Sequence, residues 1–208
     1  MNIYIQGTGC VSPLETAAAG PFPAVVNPAY DGARLKVQDP DYKQWIDVKL
    51  IRRMSRIIKM GVAAAALSLK DAGVEKPDAI ITGTAYGCLD DTGVFLTKMI
   101  NQQEEMLTPT AFIQSTHNTV AGQIALMLGC HAYNNTFVHK AFSFESALLD
   151  SIMILKEGQS KHILVGAMDE ITNHSFAIIS RFNRFKKEQT SHTELLHSNT
   201  PGDRKSVV

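Results

Sequence analysis

The stretch Thr136-Phe137-Val138-His139-Lys140-Ala141-Phe142-Ser143-Phe144-Glu145 decides the fold of this chain. It opens with the apolar run Thr136–Val138, which predicts a strand, and leads into Ser146–Leu155, whose apolar spacing predicts a helix. At such a strand-to-helix elbow, a helix N-terminus lowers the pKa of a thiol and presents backbone N–H groups to an oxyanion. Here the junction carries Ala141 and Phe142, so the layout of a nucleophile site lacks its nucleophile.

Alternating strand and helix patterns surround this elbow. The β-rich runs are residues 2–7, 79–84, 135–140 and 162–167, and helical periodicity covers 51–72, 92–101, 118–128 and 145–156. Such alternation predicts an α/β fold whose parallel strands are joined by crossover helices. We therefore expect an α/β architecture, and the length favours one domain.

Further segments, in order along the chain, carry the pattern of a known family. They are Ile5–Pro13, Gly83–Leu89, Asn118–Gly129 and Val165–Glu170. The ordered set resembles the N-terminal half of β-ketoacyl-acyl carrier protein synthases of the thiolase-like superfamily. The resemblance implies a thiolase-like half, layered α-β-α, with a mainly parallel mixed sheet.

The resemblance also locates the position of the family's catalytic cysteine. Counting from Gly129 through the strand, or back from Gly158, places it at Ala141, and a shift by one residue places it at Phe142. Neither side chain forms an acyl thioester. Ketosynthases of this family are duplicated folds roughly twice as long, with two catalytic histidines and a lysine in the second half. At 208 residues, this chain is expected to lack that machinery as well.

Other candidate nucleophiles have less support. Ser143 is a weak alternative, since it lacks the glycines of a Gly-x-Ser-x-Gly elbow and suits a helix N-cap or first turn. Cys88 follows a strand in a Gly-rich turn and is expected to be a packed thiol. His139 and Lys140, as neighbours on a predicted strand, are expected to face opposite sides of the sheet.

The resemblance further assigns an acyl tunnel and a subunit interface. The strand Asn134–Lys140 is expected to pair with the equivalent strand of a partner, and the loop Thr108–Gln114 to reach into the partner's tunnel. A small Ala111 where many synthases carry an aromatic gate would leave room for a longer chain, although packing of the dimer interface explains this loop equally well. The expected tunnel and interface residues are Tyr86, Ala111, Phe112, Gln114, Phe137, Val138 and His139.

Composition limits the partners. Twenty basic and twenty acidic residues give a formal net charge of zero, so we expect neither nucleic acid nor a membrane surface as a partner. The run Arg52–Lys59 suits either an acyl carrier protein or, more simply, the solvated face of an amphipathic helix. Three isolated cysteines predict no disulfide framework, and nothing predicts a metal or cofactor. The sequence has no signal-peptide pattern or long apolar run, so we expect a cytoplasmic protein.

The predicted organisation is one β-ketoacyl-synthase N-terminal-like domain over residues 1–185. Residues 16–48, rich in proline, are expected to form a surface excursion, and residues 186–208 a loose C-terminal tail.

Together these expectations favour a non-catalytic subunit of the chain-length-factor kind, a shortened homologue that lacks the cysteine and pairs with an active ketosynthase in fatty-acid, aryl polyene or polyketide biosynthesis. The alternatives are a stand-alone acyl-thioester hydrolase or decarboxylase using Ser143, and a homodimeric acyl-binding scaffold.

Overall fold

A computed structural model describes residues 2–13, 16–17, 36–182 and 206–207, the last two through their backbone alone. Parts of two predicted regions, residues 18–35 of the surface excursion and residues 186–205 and 208 of the tail, lie outside the described residues.

The described residues alternate strands and helices along the chain. The strands are β1 (Cys10–Val11), β2 (Ala79–Gly83), β3 (Tyr133–Phe137), β4 (Ile163–Ala167) and β5 (Ser206–Val207). The helices are α1 (Val48–Ile51), α2 (Arg56–Ala72), α3 (Leu89–Asn101), α4 (Pro109–Gln114), α5 (Thr119–Leu128), α6 (Ser143–Lys156) and α7 (Asn173–Ser180). Short 3-10 turns cover Tyr42–Gln44 and Lys140–Phe142.

The strands form one mixed sheet in the order β1-β5-β4-β2-β3. Strand β2 runs parallel to both β3 and β4, and Gly83 at its end lies opposite Phe137 and Ala167. Strand β5 pairs antiparallel with β4 and β1, so residues 206–207 of the predicted tail belong to the sheet. The predicted α/β class with a mainly parallel mixed sheet is confirmed.

Both faces of the sheet are covered, because β2 has apolar side chains on each side. Ile80 belongs to the larger core, which α2 and α5 supply on one face of the sheet. Its neighbour Ile81 points the other way and packs with Ala147 and Ile154 of α6. The result is an α-β-α arrangement in which the elbow leads from the sheet into the helix on the second face.

The strand predicted at residues 2–7 is wrong in position, since the structure begins β1 at Cys10. The preceding segment lies instead along α2. The Gln6 amide donates to the Ala72 carbonyl at 2.8 Å, and the Thr8 N–H donates to the Asp71 carboxylate at 2.8 Å. At Gly9 a Cβ would lie 2.2 Å from the Ala64 carbonyl oxygen. Glycine therefore permits this segment to pack on the helix, and its hydrogen bonds go to α2.

The continuous helix predicted over 51–72 is also wrong, because residues 52–55 separate α1 from α2. The side chain of Asp47 caps α1 by accepting the Lys49 N–H at 2.7 Å, which makes α1 a separate helical turn. Arg52 and Arg53 therefore lie outside α2, whereas Arg56 and Lys59 stay together on it and contact the same segment. Arg56 pairs with Asp39 at 3.2 Å, and the Lys59 ammonium lies 5.8 Å from the centre of the Tyr42 ring.

Two corrections concern the elbow and its neighbours. His139 and Lys140 were predicted to be strand neighbours that face opposite sides of the sheet. This is wrong, because strand β3 ends at Phe137. Lys140 has φ of +53° and starts the 3-10 turn, which takes the chain off the sheet and into α6. The predicted loop Thr108–Gln114 forms helix α4, with Pro109 in its first turn, where a missing N–H costs no hydrogen bond.

Candidate functional site

The candidate site is the elbow between β3 and α6. After Phe137 the chain passes through the 3-10 turn Lys140–Phe142 and enters α6 at Ser143. The turn presents its side chains to the surface: Ala141 is exposed, and the ring of Phe142 is 70% exposed. At the two positions where a nucleophile was expected, the structure offers a methyl group and an exposed aromatic ring.

Ser143 is the nearest hydroxyl, and it is engaged in holding the elbow together. The side chain is 3% exposed, and its oxygen accepts the His139 N–H at 2.8 Å. The same oxygen lies 2.7 Å from the Thr84 carbonyl and 2.8 Å from the Lys140 carbonyl, which compete for its single hydrogen. This hydroxyl is shielded from solvent, and its hydrogen-bond partners among the described residues are backbone groups, so its geometry suits a structural role.

Close backbone contact fixes the elbow against the end of β2. The Thr84 N–H donates to the Phe137 carbonyl at 3.0 Å, and the Met168 N–H donates to the Gly83 carbonyl at 3.1 Å. A Cβ at Gly83 would lie 2.5 Å from the Ser143 carbonyl group. The start of α6 thus sits directly on the β2 backbone, a contact that a side chain at position 83 would prevent.

The Gly-rich turn after β2 is organised by the carboxylate of Asp169. Its oxygens accept the Thr84 hydroxyl at 2.9 Å, the Ala85 N–H at 2.9 and 3.0 Å, and the Tyr86 N–H at 3.3 Å. Gly87 has φ of +62°, and a Cβ there would lie 2.7 Å from the His117 ring. The turn carrying Tyr86 is therefore held rigidly beside the elbow, with the Tyr86 side chain exposed.

Cys88 lies in the same turn and is an unreactive thiol. It is 1% exposed, and burial raises its pKa to about 12, with further contributions from the negative charges of Asp91 and Glu170. Because the thiolate is the reactive form of cysteine, this environment suppresses nucleophilic chemistry at neutral pH.

His139 is joined to its neighbours by polar and ring contacts. Its Nδ1 lies 3.1 Å from the Ser146 hydroxyl, which in turn donates to the Phe142 carbonyl at 2.8 Å. The His139 ring meets Phe137 edge to face, with ring centres 5.9 Å apart. The expected interface residues Phe137, Val138 and His139 thus form one continuous part of the elbow, and Val138 is exposed.

The remaining predicted tunnel residues lie on α4. Phe112 packs edge to face on Phe95 of α3, with ring centres 5.7 Å apart, and Ala111 is half-buried. The Gln114 side-chain amide donates to the Arg53 carbonyl. In the described part of the chain, no hydrogen bond or ring contact joins α4 itself to the elbow. The link runs through His117, which follows α4 and packs on Gly87.

The described residues contain no cluster of three or more histidine, cysteine, aspartate or glutamate side chains that could hold a metal ion. Among the same residues, no helix has the length and apolarity needed to cross a bilayer.

The sequence pattern does not indicate which residues organise the site. Asp169 lies in the family-like segment Val165–Glu170, but the pattern gives no role to its carboxylate, and it gives none to His117. A usable signal existed, because the carboxyl ends of neighbouring parallel strands meet at one edge of a sheet. An acidic residue after β4 was therefore placed to accept the free N–H groups of the turn after β2.

The mixed sheet with helices on both faces, together with a β3–α6 elbow set against a Gly-rich turn, defines the N-terminal half of a thiolase-like ketosynthase fold. Residues 32–193 match the family described as "Beta-ketoacyl synthase, N-terminal domain". The chain belongs to this family.

Known proteins with similar sequence or structure agree with that assignment. The chain is 24% identical over 178 residues to 3-oxoacyl-[acyl-carrier-protein] synthase 2 of Synechocystis sp., covering 81% of this chain and 42% of that protein. The structure of the ishigamide ketosynthase/chain length factor matches with a TM-score of 0.71 and 20% identity, over 88% of this chain and 51% of its own.

A second structure, a ketosynthase (ApeO) in complex with its chain length factor (ApeC) from Xenorhabdus doucetiae, matches with a TM-score of 0.60 and 17% identity, over 82% of this chain and 69% of its own. The chain thus spans about half the length of the first structure it matches and less than half that of the synthase.

Proposed function

We propose that this chain is a non-catalytic, ketosynthase-like subunit of the chain-length-factor kind. In this role it pairs with an active β-ketoacyl synthase in fatty-acid, aryl polyene or polyketide assembly. The observation that carries the proposal is the elbow itself, which keeps the family's strand, turn and helix but has Ala141 and Phe142 in place of a nucleophile.

The chemistry of acyl transfer supports a non-catalytic role. A condensing reaction through a covalent intermediate needs a nucleophile activated by a base or by a lowered pKa. The two candidate nucleophiles named from the sequence, Ser143 and Cys88, do not meet this need. Ser143 is buried and bonded to backbone groups, and burial raises the pKa of Cys88 to about 12. The rival hydrolase that would use Ser143 has no geometric support.

The free edge of β3 supports association with another ketosynthase-like subunit. Strand β3 is the last strand of the described sheet, and its neighbour on one side is β2. The Phe137 carbonyl accepts the Thr84 N–H, so the backbone groups of Phe137 point toward β2. Successive residues of a strand direct their backbone groups to opposite sides, so those of Asn134 and Thr136 point away from β2. The Thr136 N–H donates to the Asn135 side-chain oxygen at 2.9 Å. The Asn134 N–H and the outward carbonyl groups of this edge are suited to pairing with a strand of another subunit.

The proposed contribution to the partner is to help delimit the pocket that receives the growing acyl chain. We assign four residues to the wall of that pocket: Ala111, Phe112 and Gln114 of α4, and Tyr86 on the turn after β2. The Phe112 side chain is largely exposed, as expected for an apolar residue that a partner subunit would cover. The small side chain of Ala111 would leave space for a longer acyl chain.

Co-expression with a candidate active ketosynthase tests the proposal. We expect a 1:1 complex by native mass measurement, and acyl elongation that requires this chain. Asn134→Pro, which removes an outward-facing N–H from β3, should weaken the complex. The matched control is Asn134→Ala, which also loses the side-chain bond to the Ala121 carbonyl but keeps the N–H. A failure to associate, or elongation that is the same without this chain, contradicts the proposal.

A further inference from the structure

Helix α4 depends on its neighbours for its position. It has six residues, none of them fully buried, and its N-cap Thr108 forms no side-chain cap bond. A helix of this length is not stable by itself in water, so tertiary contacts decide where it lies. Because Ala111, Phe112 and Gln114 belong to this helix, the contacts that hold α4 also place the proposed acyl wall.

One hydroxyl group joins the end of α4 to the Gly-rich turn after β2. The Thr92 Oγ1 lies 2.9 Å from the Cys88 carbonyl oxygen and 3.0 Å from the Ser115 carbonyl oxygen. Cys88 is the N-cap of α3, and Ser115 is the C-cap of α4. The single hydroxyl hydrogen of Thr92 is therefore shared between one carbonyl group of the turn and one of α4.

Of these two bonds, the one to Ser115 has the longer reach. The Cys88 carbonyl also accepts the Thr92 N–H at 2.9 Å, so it keeps a donor when the hydroxyl is absent. A threonine hydroxyl that bonds four residues back makes a contact local to its own helix. The bond to Ser115 instead spans 23 positions of the chain and joins two elements.

The turn that receives α4 is itself firmly held. Asp169 accepts the Thr84 hydroxyl at 2.9 Å, and the Thr84 hydroxyl oxygen accepts the Gly87 N–H at 2.8 Å. The His117 ring, which follows α4, packs on Gly87. The Thr92 bond and the His117 contact thus join the same end of α4 to the turn that lies beside the elbow.

We propose that Thr92 is a positioning residue, which fixes the end of α4 against the Gly-rich turn and so keeps the acyl wall at one distance from the elbow. In this role Thr92 acts through Ser115 and not on the acyl chain itself. Its effect on the length of the product rests on the proposed function, whereas the contact with α4 does not.

Loss of the hydroxyl should loosen α4 at one end without releasing it. The ring contact of Phe112 with Phe95 and the bond from Gln114 to the Arg53 carbonyl do not involve Thr92. The protein is therefore expected to fold in the variants, with a wall that occupies a range of positions. Such a wall would define the length of the acyl chain less sharply.

Hydrogen–deuterium exchange of the full chain tests the contact without a partner. Thr92→Val keeps the shape of the side chain and removes the hydroxyl, and it should raise the exchange of the α4 peptide about fivefold at short labelling times. Exchange in α5 should stay unchanged. Thr92→Ser, which keeps a hydroxyl, should stay close to wild type, and so should Thr97→Val, the same substitution at an exposed position of α3.

Two results of this measurement overturn the proposal. One is α4 exchange that is equal in Thr92→Val and in wild type. The other is α4 exchange in Thr92→Ser that is as fast as in Thr92→Val, because the methyl group and not the hydroxyl would then hold the helix.

The products of a reconstituted complex with an active ketosynthase test the consequence. In Thr92→Val, the ratio of the main product to the next longer and shorter ones should fall about fivefold, with normal complex formation by native mass measurement. Thr92→Ser and Thr97→Val should keep the wild-type ratio. A role in stability alone would lower all products alike and leave this ratio unchanged.

The two proposals fail in different ways. If Ala111→Phe shortens the product and Thr92→Val leaves the ratio unchanged, the positioning role of Thr92 is overturned and the proposed function stands. A chain that supports no elongation overturns the proposed function and with it the effect on product length. The exchange measurement then decides by itself whether Thr92 holds α4.

Discussion

The Ser143 hydroxyl lies 2.7 Å from the Thr84 carbonyl oxygen and joins the first residue of α6 to the residue that follows β2. The same oxygen accepts the His139 N–H at 2.8 Å. One buried side chain therefore connects the end of β3, the end of β2 and the start of α6. The elbow keeps its shape through this bond network, although Ala141 and Phe142 carry no nucleophilic group.

Ser143→Ala should destabilise the protein, because it leaves the His139 N–H and the Thr84 carbonyl without their partner in a buried setting. We expect the free energy of unfolding to fall by about 1–3 kcal/mol, measured by denaturant titration. The control is Ser146→Ala, at a more exposed hydroxyl of the same helix, where the loss should be about 0.5 kcal/mol or less. Equal losses in the two variants would show that Ser143 has no special structural role.

Gly83→Ala should lower the stability of the protein more than the addition of one methyl group usually does. The added Cβ would lie 2.5 Å from the Ser143 carbonyl group, which is backbone and has little freedom to move. We expect a loss of roughly 3 kcal/mol or more in unfolding free energy, or an insoluble protein. Gly122→Ala in α5 is the matched change: nothing lies within 4 Å of its Cβ, so helix propensity should raise stability by about 0.5–1 kcal/mol. A tolerated Gly83→Ala would contradict the described contact.

Asp91 should make stability fall with rising pH. Burial raises the pKa of its carboxyl, the neighbouring Ser55 hydroxyl opposes part of this rise, and the charge of Asp90 adds to it. The stabilising contribution of the protonated form is complete below the ordinary aspartate pKa of about 3.9 and is lost as pH rises through the higher folded-state pKa.

Asp91→Asn keeps a neutral side chain at every pH and should remove this loss. Its free energy of unfolding should exceed that of wild type at pH 7 and approach it in acid. The exposed substitution Glu105→Gln serves as the control and should follow wild type. A variant that is less stable than wild type at pH 7 would mean that the ionised carboxylate is needed.

Ala141→Cys should introduce a reactive thiol at the elbow. Position 141 is exposed and lies just before the N-terminus of α6, where a thiolate is stabilised. We expect iodoacetamide to modify it at least about tenfold faster than Cys88 in the same folded protein, as followed by peptide mass spectrometry. Comparable rates at the two sites would argue against the described burial of Cys88 and exposure of residue 141.

Ala111→Phe tests the proposed acyl wall. In a reconstituted complex with an active ketosynthase, the larger side chain should shorten the product, as read by mass spectrometry of the released acyl chains. Thr110→Phe, at a neighbouring exposed position of α4, should leave product length unchanged. If the Ala111→Phe variant forms the complex normally and the product length is unchanged, α4 contributes to the subunit interface and not to the acyl wall.

Much of the fold could be predicted, because apolar periodicity and glycine-rich turns are local properties. The strand at residues 79–84 and the helix at 118–128 lie within one residue of β2 and α5. The errors arose where distant segments compete for backbone hydrogen bonds. Residues 2–7 have the pattern of a strand, yet Gln6 and Gly7 form hydrogen bonds with α2.

The sequence by itself determined that positions 141 and 142 carry no nucleophilic side chain, since the identities of Ala141 and Phe142 do not depend on how the chain folds. It also determined the α/β class through the alternation of its periodic segments. The tertiary structure decided what the remaining polar groups do. It brought Asp169 to the turn at Ala85 and buried Ser143 between strand ends. The physical reason is that a hydrogen bond, a burial or a pKa depends on neighbours far along the chain, which packing alone assembles.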